Sequence, residues 1–133
     1  MSPSLLVCAD RHASFRDSDL FAVVAVLEHF LERGSLDASL APTLAAWRDA
    51  VARSGPGTIG FDLDAIAADP PMRKCLADAL LYAADRAASE WPDGVPLPVI
   101  NRFDPHQIKF YSYSVGDLTQ VLLRLHGLLA GAP

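Results

Sequence analysis

The sequence has no apolar run long enough to cross a membrane. Its longest, Leu20 to Leu27, falls far short of the roughly 20 residues a spanning helix needs. Glutamate is scarce, present only as Glu28, Glu32 and Glu90, which is too few for a di-iron bundle with its two Glu-x-x-His motifs and two further Glu. Two cysteines, Cys8 and Cys75, allow at most one disulfide. Cys75 falls within a helical pattern, so free thiols and a reducing, cytoplasmic setting are expected. Lys and Arg number 11 against 16 Asp and Glu, for a net charge of −5, which argues against a phosphate-binding surface and a nucleic-acid partner. No G-x-S-x-G, Walker loop or H-E-x-x-H occurs.

What is present is enough apolar surface for one core. With 133 residues, 51% of them hydrophobic, the chain has the size and composition of a single globular domain spanning 1–133. The apolar start, Leu5-Leu6-Val7-Cys8, has no Lys or Arg before it and no small-x-small site after it, so it reads as a short strand or packed arm and not as a signal segment.

Helical periodicity dominates the remainder. Leu20, Val23, Val24, Leu27, Phe30 and Leu31 repeat at helical spacing, with Asp17 or Ser18 available as N-cap and Gly34 as the stop. A second helix begins near Ser39 to Pro42, buries Leu44, Trp47 and Val51, and ends at Ser54-Gly55-Pro56-Gly57. Asp62 caps a short helical turn through Ala68. Asp69-Pro70-Pro71 then starts a long Ala-rich helix to about Glu90, where Trp91-Pro92 breaks it. Ser114-x-x-Asp117 is a capping-box pattern opening a last helix whose stripe runs Leu118, Val121, Leu122, Leu125, Leu128, Leu129. The expected fold is therefore mainly α: a bundle-like single domain of four principal helices plus a short helical turn. Val99-Ile100 and Ile108 to Tyr113 are β-prone, which adds a candidate small hairpin near 97–113.

Each motif has a structural competitor. Gly55-Pro56-Gly57-Thr58-Ile59-Gly60 matches G-x-G-x-x-G, but a helix precedes it where a dinucleotide site needs a strand, so it reads as a linker and no cofactor is expected. Asp62, Asp64 and Asp69 resemble a divalent-cation cluster, yet their spacing suits helix capping and no terminal Glu completes a calcium loop, so no metal is expected. Cys8-x-x-x-His12 lacks a second ligand pair for zinc. Glu28, His29 and Glu32 read as a polar outer helix face. Cys75 is flanked by Arg73 and Lys74, but a nucleophilic role needs a base from His12, His29, His106 or His126, and nothing local selects one.

The segment from Asn101 to Tyr113 concentrates Arg102, Asp104, His106, Lys109, Tyr111 and Tyr113, and alternation places Lys109, Tyr111 and Tyr113 on one face. Tyr and Arg anchor interfaces. The competing reading, that Phe110 and one Tyr plug the end of the bundle, stays open. With Asp62 and Asp64 as solvated acidic residues, these are the candidate partner-binding residues. They point to a non-enzymatic inhibitor of the immunity or antitoxin kind, neutralising a basic toxin or effector by stoichiometric binding. Two alternatives stand beside it: a small-molecule-binding or enzymatic domain with a pocket near Arg102–Tyr113, and a structural module or secretion chaperone that dimerises through its Ala-rich helix.

Overall fold

The computed structural model describes residues 3–102 and 110–131. A hairpin, β1 (Ser4–Cys8) and β2 (Arg11–Phe15), precedes α1 (Asp17–Glu32), a single 3-10 turn (Ala38–Leu40), α2 (Ala41–Arg53), α3 (Leu63–Ala67), α4 (Pro70–Glu90), α5 (Leu97–Ile100) and α6 (Val115–Ala130). The chain is thus mainly helical, a bundle of four principal helices (α1, α2, α4 and α6) carrying one two-stranded hairpin.

The hairpin lies at residues 4–15, and the described residues of the 97–113 stretch carry no strand. Val99 and Ile100 fold into α5 because Pro98 occupies one of the first helical positions, where a missing amide costs nothing. Residues 110–113 carry no strand. In the hairpin the register Cys8↔Arg11 through Ser4↔Phe15 turns Ser4, Leu6 and Cys8 inward and leaves Leu5 and Val7 outside, as a pleat of period two dictates.

The helix ends follow local chemistry. Asp62, Asp69 and Ser114 accept from the amides of Ala65, Met72 and Asp117 at 3.1, 3.3 and 3.0 Å. At the end of α1, Gly34 (φ +75°) donates to Leu31 and Ser35 to Phe30, both at 3.0 Å, a Schellman closure that only the left-handed residue permits. The α1 start departs from expectation. Arg16 is its N-cap and contributes no side-chain bond, because the Asp17 carboxylate is engaged elsewhere.

Helix α1 is central: Leu20 through Leu27 are all at most 4% exposed, so this apolar run reports burial on every side. Ala79, Ala83, Ala84 and Ala87 of α4 are buried in the same core, where α4 packs on α6. The small side chains of these alanines are taken up within the chain, while Leu81 and Tyr82 of the same helix stay exposed. Helix α6 runs beside β2. Arg124 donates to Ser14 O at 2.6 Å, and Arg11 at the hairpin tip donates to the carbonyls of Gly127 and Leu128, satisfying groups that the C-terminal turn of a helix leaves open.

Candidate functional site

The glycine motif is built inward. Thr58 N donates to Gly55 O at 3.1 Å with Gly57 at φ +75°, so Pro56-Gly57 are the central residues of a turn that needs a left-handed third residue. The Gly57 amide, which would face a phosphate in a nucleotide site, donates instead to Asp17 Oδ2 at 2.8 Å. Asp17 Oδ1 accepts from Ser4 Oγ at 2.5 Å, and that oxygen accepts from Ile59 N at 3.0 Å. One buried carboxylate therefore ties the glycine linker and β1 to the start of α1.

The aspartates of the acidic turn have structural bonds. Asp62 caps α3, and Asp64 Oδ1 accepts from Ala9 N at 2.6 Å. Ala9 sits at φ +57° in the hairpin turn, a conformation unfavourable for a residue with a Cβ, and Asp64 holds it there. Both carboxylates remain exposed. Among the described residues, no group of three or more His, Cys, Asp or Glu is placed to hold a metal ion. Cys8 and Cys75 are free. Burial, then Asp64, pushes the Cys8 thiol above its ordinary value, as expected for a packed thiol.

The aromatic segment divides. Tyr113 is 8% exposed, meets Phe110 edge-on at 5.3 Å, and donates to Asp19 Oδ1 at 2.6 Å. Burial and this carboxylate push its phenol far above the ordinary value, so it stays a neutral donor. Tyr111 is 82% exposed. In place of one shared face, the structure gives a plug, Phe110 with Tyr113, and one outward tyrosine. Asp104, His106 and Lys109 lie outside the described residues. Arg102 is not aimed outward as an anchor: it pairs with Glu32 and lies 3.4 Å from Glu28, which Arg48 also meets at 3.3 Å. The polar face of α1 is thus an ion-pair strip, and Arg102 draws Glu32 below the usual carboxylate range.

The base of the segment is clasped. Asn101 donates to Phe110 O at 2.8 Å and accepts from Phe110 N at 2.7 Å, so one side-chain amide acts as a backbone pair. Val95 N donates to Tyr113 O at 3.1 Å. Between these strands of chain lies an open depression of about 490 Å³ reached by Asp93, Leu97 and Tyr111, with Leu97 itself 44% exposed. The acidic turn and this depression do not adjoin. Asp64 bonds the hairpin tip at Ala9, whereas Tyr113 bonds Asp19, just beyond the hairpin base. Strands of five residues at about 3.3 Å each separate tip from base by roughly 15 Å.

Two further depressions were not foreseen from sequence, because one exists only once residues 35–40 meet α4 and the other only once α2 meets residues 60–66. One, about 420 Å³, is walled by Leu36, Leu40, Pro71, Cys75, Ala79 and Tyr82 with Asp37, Lys74 and Asp78 at its rim. The other, about 320 Å³, is lined by Thr43, Ala46, Trp47, Phe61, Asp62 and Ile66, where Trp47 and Phe61 stack at 4.1 Å. No protein-family model, no curated protein and no solved structure matches this chain.

Proposed function

We propose that the protein is a non-enzymatic inhibitor of the immunity or antitoxin kind, which binds one basic toxin or effector stoichiometrically in the cytoplasm. The observation that carries this reading is Tyr111, 82% exposed on a segment clasped by Asn101 and Phe110. A rigid, solvent-facing tyrosine beside a second exposed apolar residue, Leu97, has the make-up of an interface anchor whose ordering cost is already met. The net charge of −5 supplies the long-range attraction that such inhibitors use on a basic active-site cleft.

The test is a crosslinked pull-down from the native host with wild-type protein and Tyr111→Ala, followed by titration of the protein recovered. The expected result is one basic protein bound one to one, inactivated at equimolar ratio, and released about thirtyfold faster by the variant, the equivalent of about 2 kcal/mol. Identical retention by both proteins would remove Tyr111 from the site. A melting temperature raised by a small metabolite, with no protein partner recovered, would replace the proposal by the ligand-binding alternative.

A further inference from the structure

The larger depression lies between residues 35–40 and α4, the smaller between α2 and residues 60–66, and together they are here the α2–α4 trough. Thr43, which lines the smaller, approaches Met72 Sδ at 3.8 Å, and Met72 follows Pro71, which lines the larger, so the two are neighbours with Met72 standing between them. Their walls are apolar, and Tyr82 and Leu81, 38% and 43% exposed, extend that surface along α4. The rim is acidic: Asp37, Asp62 and Asp78 line it, and Asp69 is exposed at the start of α4. Among the described residues, Lys74 is the one cation lining either depression, and it is held 2.8 Å from Asp78. An apolar trough with a surplus of carboxylates along its edge complements a segment that carries apolar side chains on one stripe and Lys or Arg on its flanks.

From this we infer that the α2–α4 trough docks a basic amphipathic segment of the partner protein. The inference rests on the proposed function for the existence of a basic partner. It adds a second contact, on a surface other than the Tyr111 depression.

The surface is tested without the native partner. The probe is a peptide of about fourteen residues with Leu and Lys at helical spacing, titrated into isotopically labelled full-length protein and read by amide chemical shifts. The expected outcome is saturable shifts concentrated in residues 36–47, 62–66 and 71–82. A control peptide of equal charge with Gly in place of Leu should bind at least about tenfold more weakly, since charge alone steers but does not fill the trough. The double variant Asp62→Asn, Asp78→Asn should weaken the Leu/Lys peptide by about tenfold or more while leaving the melting temperature unchanged, because Asn also caps a helix and the Asp78–Lys74 pair is solvent-exposed. Shifts centred on Leu97 and Tyr111, or equal affinity of the double variant, would overturn the inference. Once a basic partner is in hand, displacement by the Leu/Lys peptide supports the trough as its site, and a partner released by Tyr111→Ala but untouched by saturating peptide refutes it. Failure to find any basic partner would end the proposed function while the peptide titration still decides the surface.

Discussion

Replacing Asp17 by Ala should be among the most costly single changes outside the apolar core. The carboxylate is on a residue only 5% exposed, and it takes the Ser4 hydroxyl at 2.5 Å and the Gly57 amide at 2.8 Å. Truncation leaves the buried Ser4 hydroxyl and the half-buried Gly57 amide unpaired, each at about 1–3 kcal/mol, and removes a negative charge from the first turn of α1, worth about 0.3–1 kcal/mol. The sum is about 4 kcal/mol, a large part of the 5–15 kcal/mol by which domains of this size are usually stable. Urea unfolding followed by circular dichroism measures it directly. Ser4→Ala should cost less, since Asp17 keeps the Gly57 amide and only the Ile59 amide loses its acceptor. The double variant should fall short of additivity by about 1 kcal/mol or more, because the two residues share one bond. Asp17→Ala losses below about 1 kcal/mol, or strict additivity with Ser4→Ala, would refute the account of a carboxylate joining three segments.

Leu122→Ala and Leu125→Ala, both at 0% exposure, should each cost about 2–5 kcal/mol in the same unfolding measurement; losses under 0.5 kcal/mol would place the α6 stripe at a surface. Gly57→Ala should cost about 1–2 kcal/mol because of its φ of +75°, whereas Gly60, with open space around it, should tolerate Ala; an equal cost at both would refute the turn assignment. His29, half-buried against Phe30 and Trp91 at 5.4 and 5.5 Å, has its pKa lowered below 6.5 by burial, then by Arg33 and Arg102. Because the unfolded chain takes up that proton first, His29 removes stability as pH falls from about 6.5 through the folded pKa. His29→Gln should therefore flatten the urea midpoint between pH 7 and 5, and an unchanged profile would refute it. Glu32, held low by Arg102, and Glu90, held low by Arg33 and Arg86 against a burial cost, act only at more acid pH.

The helix boundaries were legible because each rests on contacts a few residues apart. Asp62, Asp69 and Ser114 announce themselves by their position ahead of a periodic apolar pattern, and the structure uses all three as caps. The hairpin was not legible for the opposite reason. In its turn, Ala9-Asp10, the positive φ falls on Ala9 and not on a Gly, Asn or Asp that normally adopts it, and the bond that stabilises it comes from Asp64, 55 positions away. Its strand SLLVC is apolar on both faces, so the alternation that separates Leu6 from Leu5 is hidden until burial reveals it. The same logic displaced Asp17 from its expected role. A carboxylate before a helix caps it by default, but a longer-range pair of donors, Ser4 and Gly57, competes better. Arg102 shows the pattern in charge: a local view placed it beside the tyrosines, and its ion-pair partners proved to be Glu28 and Glu32 on α1.

Capping and partner binding are not exclusive uses of an aspartate. Asp62 gives one oxygen to the Ala65 amide and remains an exposed carboxylate at the trough, so its charge contributes to the field a partner meets even while its geometry serves α3. A cap bond satisfies a donor without neutralising the acid, whereas an ion pair cancels it. By that criterion the acids of this chain fall into two kinds. Glu28, Glu32 and Glu90 face arginines and add little to the long-range potential. Asp37, Asp62, Asp64 and Asp69 accept the amides of Ser39, Ala65, Ala9 and Met72, bonds that leave the carboxylate charge in place. Three of these four line or adjoin the α2–α4 trough. Asp37 and Asp62 thus stand beside apolar depressions, which is the combination that both attracts a basic partner and gives its apolar residues somewhere to go.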